Sequence, residues 1–230
     1  MSSNKIWCSI AALLTIGSPV GSLAGELTVF SDPGLVVLQS GKDLFGYYVA
    51  IEGGRSCEFF IVKSPDAKWT SNRDGSSFLK IKTFSLGFGE LRFTQRNSEF
   101  DTSGQIVRKS DEWTLQTDVE PPGCGSAVGV FAKKDGILPY RFFTEHTLRA
   151  IGIRVIAKKT FLYNKAGNSY VKRHGYLTQN DTVALLAEEG EYSSVRYFDP
   201  NYFSESIGKV TTGWVHSADL VDPFPPAIKQ

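Results

Sequence analysis

Cys57 and Cys124 are the two cysteines available for chemistry once the start of the chain is set aside, because Cys8 lies inside an apolar leader segment. A reactive thiol needs a neighbouring base and an electropositive setting. The chain has three histidines, His146, His174 and His216. None of them stands in a recognisable thiol-protease arrangement with a cysteine. An even pair of cysteines in an oxidising compartment predicts a single disulfide. The alternative is an enzyme that uses Cys124 with a distant histidine.

Other residue types that carry chemistry form no known pattern here. Four glutamates lie in or beside predicted strands, namely Glu58, Glu90, Glu112 and Glu120. No spacing joins two of them into the acid and base pair of a glycosidase. His216 and Asp219 are three residues apart, but a metal site needs further ligands. Phosphate-binding loops, Gly-x-Ser-x-Gly and His-Glu-x-x-His are absent from the sequence. We therefore expect no catalytic residue, no metal and no cofactor.

Residues 1–24 have the organisation of a secretory signal peptide. Lys5 supplies a short positive start, residues 6–16 are mostly apolar, and Ser22-Leu23-Ala24 supplies small residues at the cleavage site. The apolar run is about half as long as a helix that crosses a bilayer. We predict cleavage after Ala24, secretion into a bacterial periplasm and no membrane insertion afterwards.

The charge balance excludes a class of partner. The full chain has 25 basic and 24 acidic residues, and the leader removes only Lys5. The mature chain is therefore close to neutral and has no basic stripe of the kind that nucleic acids require. We expect no nucleic-acid partner.

The first half of the mature chain, residues 25–150, has the pattern of an antiparallel β domain, a sandwich or a barrel. Strands are predicted at residues 27–30, 35–38, 44–51, 57–62, 78–84, 90–95 and 113–119. In the segment 78–84, Leu79 and Ile81 alternate with Lys80 and Lys82, as in a half-buried strand. The short link 87–89 favours direct pairing of that strand with 90–95. The best helix candidate is 145–151.

An ordered series of elements runs from Gly175 to Leu220. Its parts are Gly175-Tyr176-Leu177, Asp181 before an apolar strand, the turn Glu189-Gly190-Glu191, an aromatic strand from Tyr192 to Tyr197, and Gly213-Trp214-Val215. On the strand after Asp181, the side chains of Val183, Leu185 and Ala187 share one face. This order resembles a bacterial SH3-like domain over residues 153–220. Tyr192 replaces the usual tryptophan, and Asn180 replaces a glycine whose left-handed conformation asparagine tolerates.

The resemblance implies an SH3-like barrel over residues 151–221, with a long first loop at 164–174 and a Pro-rich tail at 222–230. It also implies a non-enzymatic protein that recognises a cell-envelope ligand, either a peptidoglycan peptide or a protein. The residues that match its ligand groove are Tyr163, Tyr170, Tyr197, Tyr202 and Trp214.

Two alternatives stay open at this point. The aromatic loop 198–212 either binds the ligand or packs against the first domain. In architecture alone, the first domain is similar to periplasmic inhibitors of cell-wall hydrolases. The alternative function is therefore an inhibitor or immunity protein that blocks a periplasmic hydrolase or toxin.

Overall fold

The computed structural model describes residues 24–226, except for Pro33, residues 127–130, Ile137, Tyr202 and residues 206–207. The predicted signal peptide lies outside the described residues except for Ala24. The chain is all-β, as the sequence predicts, and forms two antiparallel sheets. No helix in the described part is long and apolar enough to cross a membrane.

The first sheet is a closed barrel of eight strands with one short strand attached to it. Its strands are β1 (Gly25–Phe30), β2 (Leu35–Ser40), β3 (Asp43–Glu52), β4 (Arg55–Lys63), β5 (Thr70–Ser71), β6 (Ser77–Phe84), β7 (Thr102–Lys109), β8 (Glu112–Thr117) and β9 (Tyr140–Ala150). Strands β1 to β4 and β6 to β9 each pair with their neighbours in sequence. The barrel closes where β1 pairs with β9 and β4 pairs with β6.

The barrel interior is packed with side chains, many of them aromatic. Phe30, Tyr48, Phe59 and Phe142 are each fully buried there. Phe131, which follows β8, contacts the rings of Tyr48 and Phe59 edge-on at 4.9 and 5.1 Å. This core forms because inward positions alternate along each strand.

The segment that carries Phe131 is held in two ways. The Glu120 carboxylate accepts hydrogen bonds from the backbone N–H groups of Phe131 and Ala132, at 3.0 and 3.1 Å. Cys124, near a short 3₁₀ turn (Cys124–Ser126), is joined to Cys57 on β4. The predicted disulfide is therefore confirmed, and neither sulfur is a free thiol.

Two predictions for the first sheet are wrong. The segment 90–95 is not a strand, since it contains a 3₁₀ turn (Phe93–Gln95), and a second such turn follows (Ser98–Phe100). The partner of β6 is instead β7. The segment 145–151 is not a helix either, because it belongs mainly to β9, which pairs with both β1 and β8.

The second sheet curls through half a barrel. Its strands are β10 (Gly152–Ile156), β11 (Thr160–Ala166), β12 (Ser169–Leu177), β13 (Thr182–Glu189), β14 (Tyr192–Phe198), β15 (Val210–His216) and β16 (Leu220–Val221), with a 3₁₀ turn (Ser217–Asp219) before the last. The order across the sheet is β12, β11, β15, β14, β13, β10, β16. Its own core contains Leu162, Val183, Leu185, Val195 and Val215.

Several details of this sheet correct or confirm the sequence analysis. Asn180 has a φ of 73°, the left-handed conformation expected of it. The segment 164–174 is not a loop, because it lies in a hairpin of β11 and β12 that turns at Gly167. Ala187 does not share the buried face of Val183 and Leu185. The pairing register shifts between residues 185 and 187, and Ala187 is partly or fully outside that core.

The two sheets share an intersheet core, which we define as the buried apolar residues between them. Its members are Leu27, Val29, Val36, Leu38, Tyr47, Phe60, Phe84, Ala150, Ile153, Val155, Ala184, Phe198 and Phe224. Because Leu35 and Val37 point into the barrel while Val36 and Leu38 join the intersheet core, four successive residues of β2 are buried. Both faces of this strand are therefore covered.

The loop and the tail of the second half also pack on the first barrel. Phe198 is buried in the intersheet core, and the backbone N–H of Ile51 donates to the carbonyl of Pro200 at 3.0 Å. For Phe198, packing against the first domain is thus confirmed, while Phe203 is exposed. In the Pro-rich tail, Phe224 contacts the rings of Phe45 and Phe60.

Candidate binding site

Rings from four strands of the second sheet lie on one face of that sheet. In β15, Trp214 and His216 share this face, whereas Val215 between them is fully buried in the core. Tyr163 of β11 pairs with Trp214, and Tyr192 of β14 pairs with His216. Because side chains alternate along a strand, these pairings place the rings side by side.

We call Tyr163, Tyr170, Tyr192, Trp214 and His216 the aromatic cluster. The rings of Tyr170 and Tyr192 are stacked, with centroids 3.9 Å apart and planes at 14°. The ring of Tyr192 lies 4.5 Å from that of His216 and 5.2 Å from that of Tyr163. Trp214 contacts Tyr170 edge-on at 5.3 Å. All five side chains are half-buried, so each ring keeps an accessible part.

Polar groups are attached to the aromatic cluster. The Tyr163 hydroxyl and His216 Nε2 are 3.3 Å apart. Lys165 Nζ lies 5.4 Å from the centre of the Trp214 ring and forms an ion pair with Glu189, whose hydrogen bond raises the pKa of the lysine. The Tyr170 hydroxyl is buried and has no hydrogen-bond partner among the described residues. Desolvation raises the pKa of Tyr192.

An open pocket of about 510 Å³ lies next to the cluster, and His216 belongs to both. The other lining residues are Lys158, Glu191, Ser217, Ala218 and Asp219. The Asp219 carboxylate is buried and lies 3.1 Å from Lys158 Nζ, which is exposed. The pocket therefore offers groups of both charges beside a stack of rings. Such a site can hold a small ligand that has both ionic and apolar parts.

Three of the five residues predicted for the groove are brought together, namely Tyr163, Tyr170 and Trp214. Tyr197 lies elsewhere, because it packs against the core of the second sheet, five positions along β14 from Tyr192. Tyr202 lies outside the described residues. The sequence analysis left Tyr192 and His216 out of the groove. The signal that finds them is strand parity, since both alternate in register with Trp214.

The glutamates considered for catalysis are accounted for by structural contacts. Glu90 accepts a hydrogen bond from the N–H of Gly87, and Glu112 lies 3.5 Å from Arg141. Glu120 holds the segment of Phe131. No group of three or more metal-ligating side chains occurs within the residues described.

Glu58 is the remaining glutamate, and it lies at the margin of the intersheet core. Desolvation, with a smaller contribution from the charge of Asp181, raises its pKa to about 7. Burial raises the pKa of Asp181 as well, against the effect of a hydrogen bond that its carboxylate accepts from the N–H of Thr178 at 2.7 Å. Two carboxyl groups, one from each sheet, thus meet in a poorly solvated place.

No family model, curated protein or solved structure matches this chain.

Proposed function

We propose that this chain is a secreted, non-enzymatic binding protein of the bacterial periplasm. Its second sheet recognises a cell-envelope ligand, either a peptidoglycan peptide or an envelope protein, through the aromatic cluster and the pocket beside it. The observation that carries the proposal is the meeting of Tyr163, Tyr170, Tyr192, Trp214 and His216 on one face.

The chemistry of the site supports a peptide-like ligand. Half-buried aromatic rings provide a large, rigid contact area at a low cost in side-chain entropy. Lys158 can bind a carboxylate, and Glu191 can bind an ammonium group, on the walls of one pocket. A ligand with both groups and an apolar portion would use the rings and the pocket together. The likeness of residues 153–220 to SH3-like domains supports the same class of ligand.

Secretion is supported by the disulfide between Cys57 and Cys124, a bond that persists in oxidising compartments. If the leader is removed as proposed, the protein isolated from the periplasm begins at Gly25. Intact-mass measurement of that protein tests the cleavage site directly.

Binding is tested with the mature protein in two parallel assays, co-sedimentation with purified sacculi and capture of periplasmic proteins. Trp214→Ala should reduce binding in the assay that is positive, by tenfold or more. The matched control is Tyr176→Ala, which removes an exposed ring from β12 of the same sheet, outside the cluster. Equal binding by the Trp214 variant and the unaltered protein would rule the site out.

A further inference from the structure

Phe88 is the most exposed large apolar residue in the described part of the chain, with a relative accessibility of 102%. It stands in the segment 85–101, which connects β6 to β7, and it has a glycine on each side. A phenylalanine in full contact with water makes no packing contribution to the fold. Its position therefore needs another explanation.

The backbone on both sides of Phe88 is fixed by hydrogen bonds. The Glu90 carboxylate accepts the N–H of Gly87 at 2.8 Å, and the N–H of Glu90 donates to the carbonyl of Gly87 at 3.0 Å. Gly89 has a φ of 80°, a conformation that favours glycine. A Cβ atom on Gly87 would lie 2.9 Å from the Glu90 carboxylate. The tip is a closed turn whose glycines leave the ring of Phe88 unobstructed.

The rest of the segment anchors this tip to the barrel. The guanidinium of Arg96 donates two hydrogen bonds to Asp101, at 2.9 and 2.6 Å, and one to the carbonyl of Phe93 at 2.8 Å. It also lies 3.4 Å from the centre of the Phe93 ring. Phe93 in turn contacts the buried ring of Phe84 edge-on at 5.0 Å. A chain of contacts thus runs from the barrel to the base of the turn.

From this geometry we propose that Phe88 is a docking anchor, which inserts into an apolar pocket of a protein partner. Aromatic side chains that fill a pocket supply much of the binding energy at protein interfaces. A turn already held in its bound shape loses little conformational entropy on association. The flanking glycines let a pocket enclose the ring from both sides.

The charges near Phe88 favour a protein over a lipid surface. The segment 85–101 contains three acidic residues, Glu90, Glu99 and Asp101, and two basic ones, Arg92 and Arg96. Arg96 is already paired with Asp101. Insertion into anionic membranes relies on clustered basic residues around the apolar group. A pocket with a neutral or basic rim suits this segment better.

The test places a photo-crosslinking phenylalanine analogue at position 88 of the full chain, in the cells that naturally produce it. The control has the same analogue at Val171, an exposed residue on β12. The expected result is one protein adduct specific to position 88. That protein, once purified, should bind the unaltered chain and bind Phe88→Ala at least tenfold more weakly, with Val171→Ala unaffected.

Adducts with phospholipid, or none beyond those of the Val171 control, would overturn the proposal. So would a purified partner that binds Phe88→Ala as tightly as the unaltered protein. A second variant, Glu90→Ala, keeps the ring but removes the carboxylate that closes the turn, and it should weaken binding several-fold. Because Phe88 lies on the other sheet from the aromatic cluster, this outcome is independent of the test with Trp214.

Discussion

The ring of Tyr47 in the first barrel lies over the ring of Phe198 in the second sheet, with centroids 6.2 Å apart and planes at 12°. Both residues are 2% exposed. This contact lies in the intersheet core, so the two sheets do not behave as separate bodies joined by a linker. Loss of either ring affects the stability of both.

Phe198→Ala should lower the free energy of unfolding by about 3–5 kcal/mol, the range for a fully buried phenylalanine. Denaturant unfolding followed by tryptophan fluorescence measures this. Trp69 and Trp113 report on the barrel and Trp214 on the second sheet, and single-tryptophan variants should show the same shifted midpoint. The matched control is Phe203→Ala in the same loop, which removes an exposed ring and should change stability by less than about 0.5 kcal/mol. Separate midpoints for the two sheets would contradict the shared core.

The disulfide should stabilise the barrel substantially. Cys57 and Cys124 are 67 residues apart in sequence, and closing such a loop restricts the unfolded chain by up to about 4 kcal/mol. The double variant with serine at both positions should therefore unfold at a lower denaturant concentration. Adding a reductant should shift the unaltered protein in the same direction and leave the double variant unchanged. An unaltered protein that is insensitive to the reductant, although its thiols are shown to be free, would refute this expectation.

Stability should fall as the pH rises from about 4.5 to 7, through the effect of Glu58. The pKa of this residue is raised from 4.5 to about 7 in the folded protein. In that interval the folded state holds the proton more often than the unfolded state does, so stability decreases with pH, by at most about 1.4 kcal/mol per unit.

Comparison with Glu58→Gln isolates this contribution. At pH 7.5 the glutamine variant should be the more stable protein, because it lacks a poorly solvated charge near Asp181. The advantage should shrink at pH 5. Glu26→Gln, a change at an exposed position of β1, serves as control and should show no such trend. A difference between Glu58→Gln and the unaltered protein that does not vary with pH would count against the assignment.

Tyr170→Phe should keep or raise stability, by roughly 1 kcal/mol at most, because the tyrosine hydroxyl is buried without a partner in the described structure. Tyr170→Ala should lower stability and remove the ring stacked on Tyr192. In the binding assay, the phenylalanine variant should resemble the unaltered protein and the alanine variant should not. Loss of binding in Tyr170→Phe would show instead that the ligand uses the hydroxyl.

Local patterns predicted the strands that have one wet face. In β6, Leu79 and Ile81 are buried while Lys80 and Lys82 are exposed, as the alternation indicates. The cysteine count was enough to predict the disulfide. Residues 145–151 were misassigned because Leu148 and Ile151, three apart, fit a helical spacing, whereas pairing with β1 and β8 makes the segment a strand.

The segment 90–95 failed for a different reason. Its alternation of Leu91 and Phe93 with polar residues is that of a strand. The side chain of Gln95, however, accepts the N–H groups of Leu91 and Arg92, and these bonds replace those of a sheet. Such a contact cannot be read from periodicity.

The candidate site was predicted only in part, because register across strands is not local information. Tyr197 is aromatic and close in sequence, yet its odd spacing from Tyr192 directs it to the core side of the sheet. The burial of Phe224 was equally inaccessible, since it depends on rings of the first barrel that precede it by more than a hundred residues.

The pairing of β1 with β9 has a consequence for how the protein folds. Gly25 pairs with Ala150, so the first strand gains its second neighbour only after nearly the whole barrel has been made. Contacts so distant in sequence slow folding, and all-β proteins of this kind fold in milliseconds to seconds. Until then β1 presents an unpaired edge with Leu27 and Val29, which is prone to aggregate. The newly made chain therefore has its greatest need for chaperones before residue 150 becomes available.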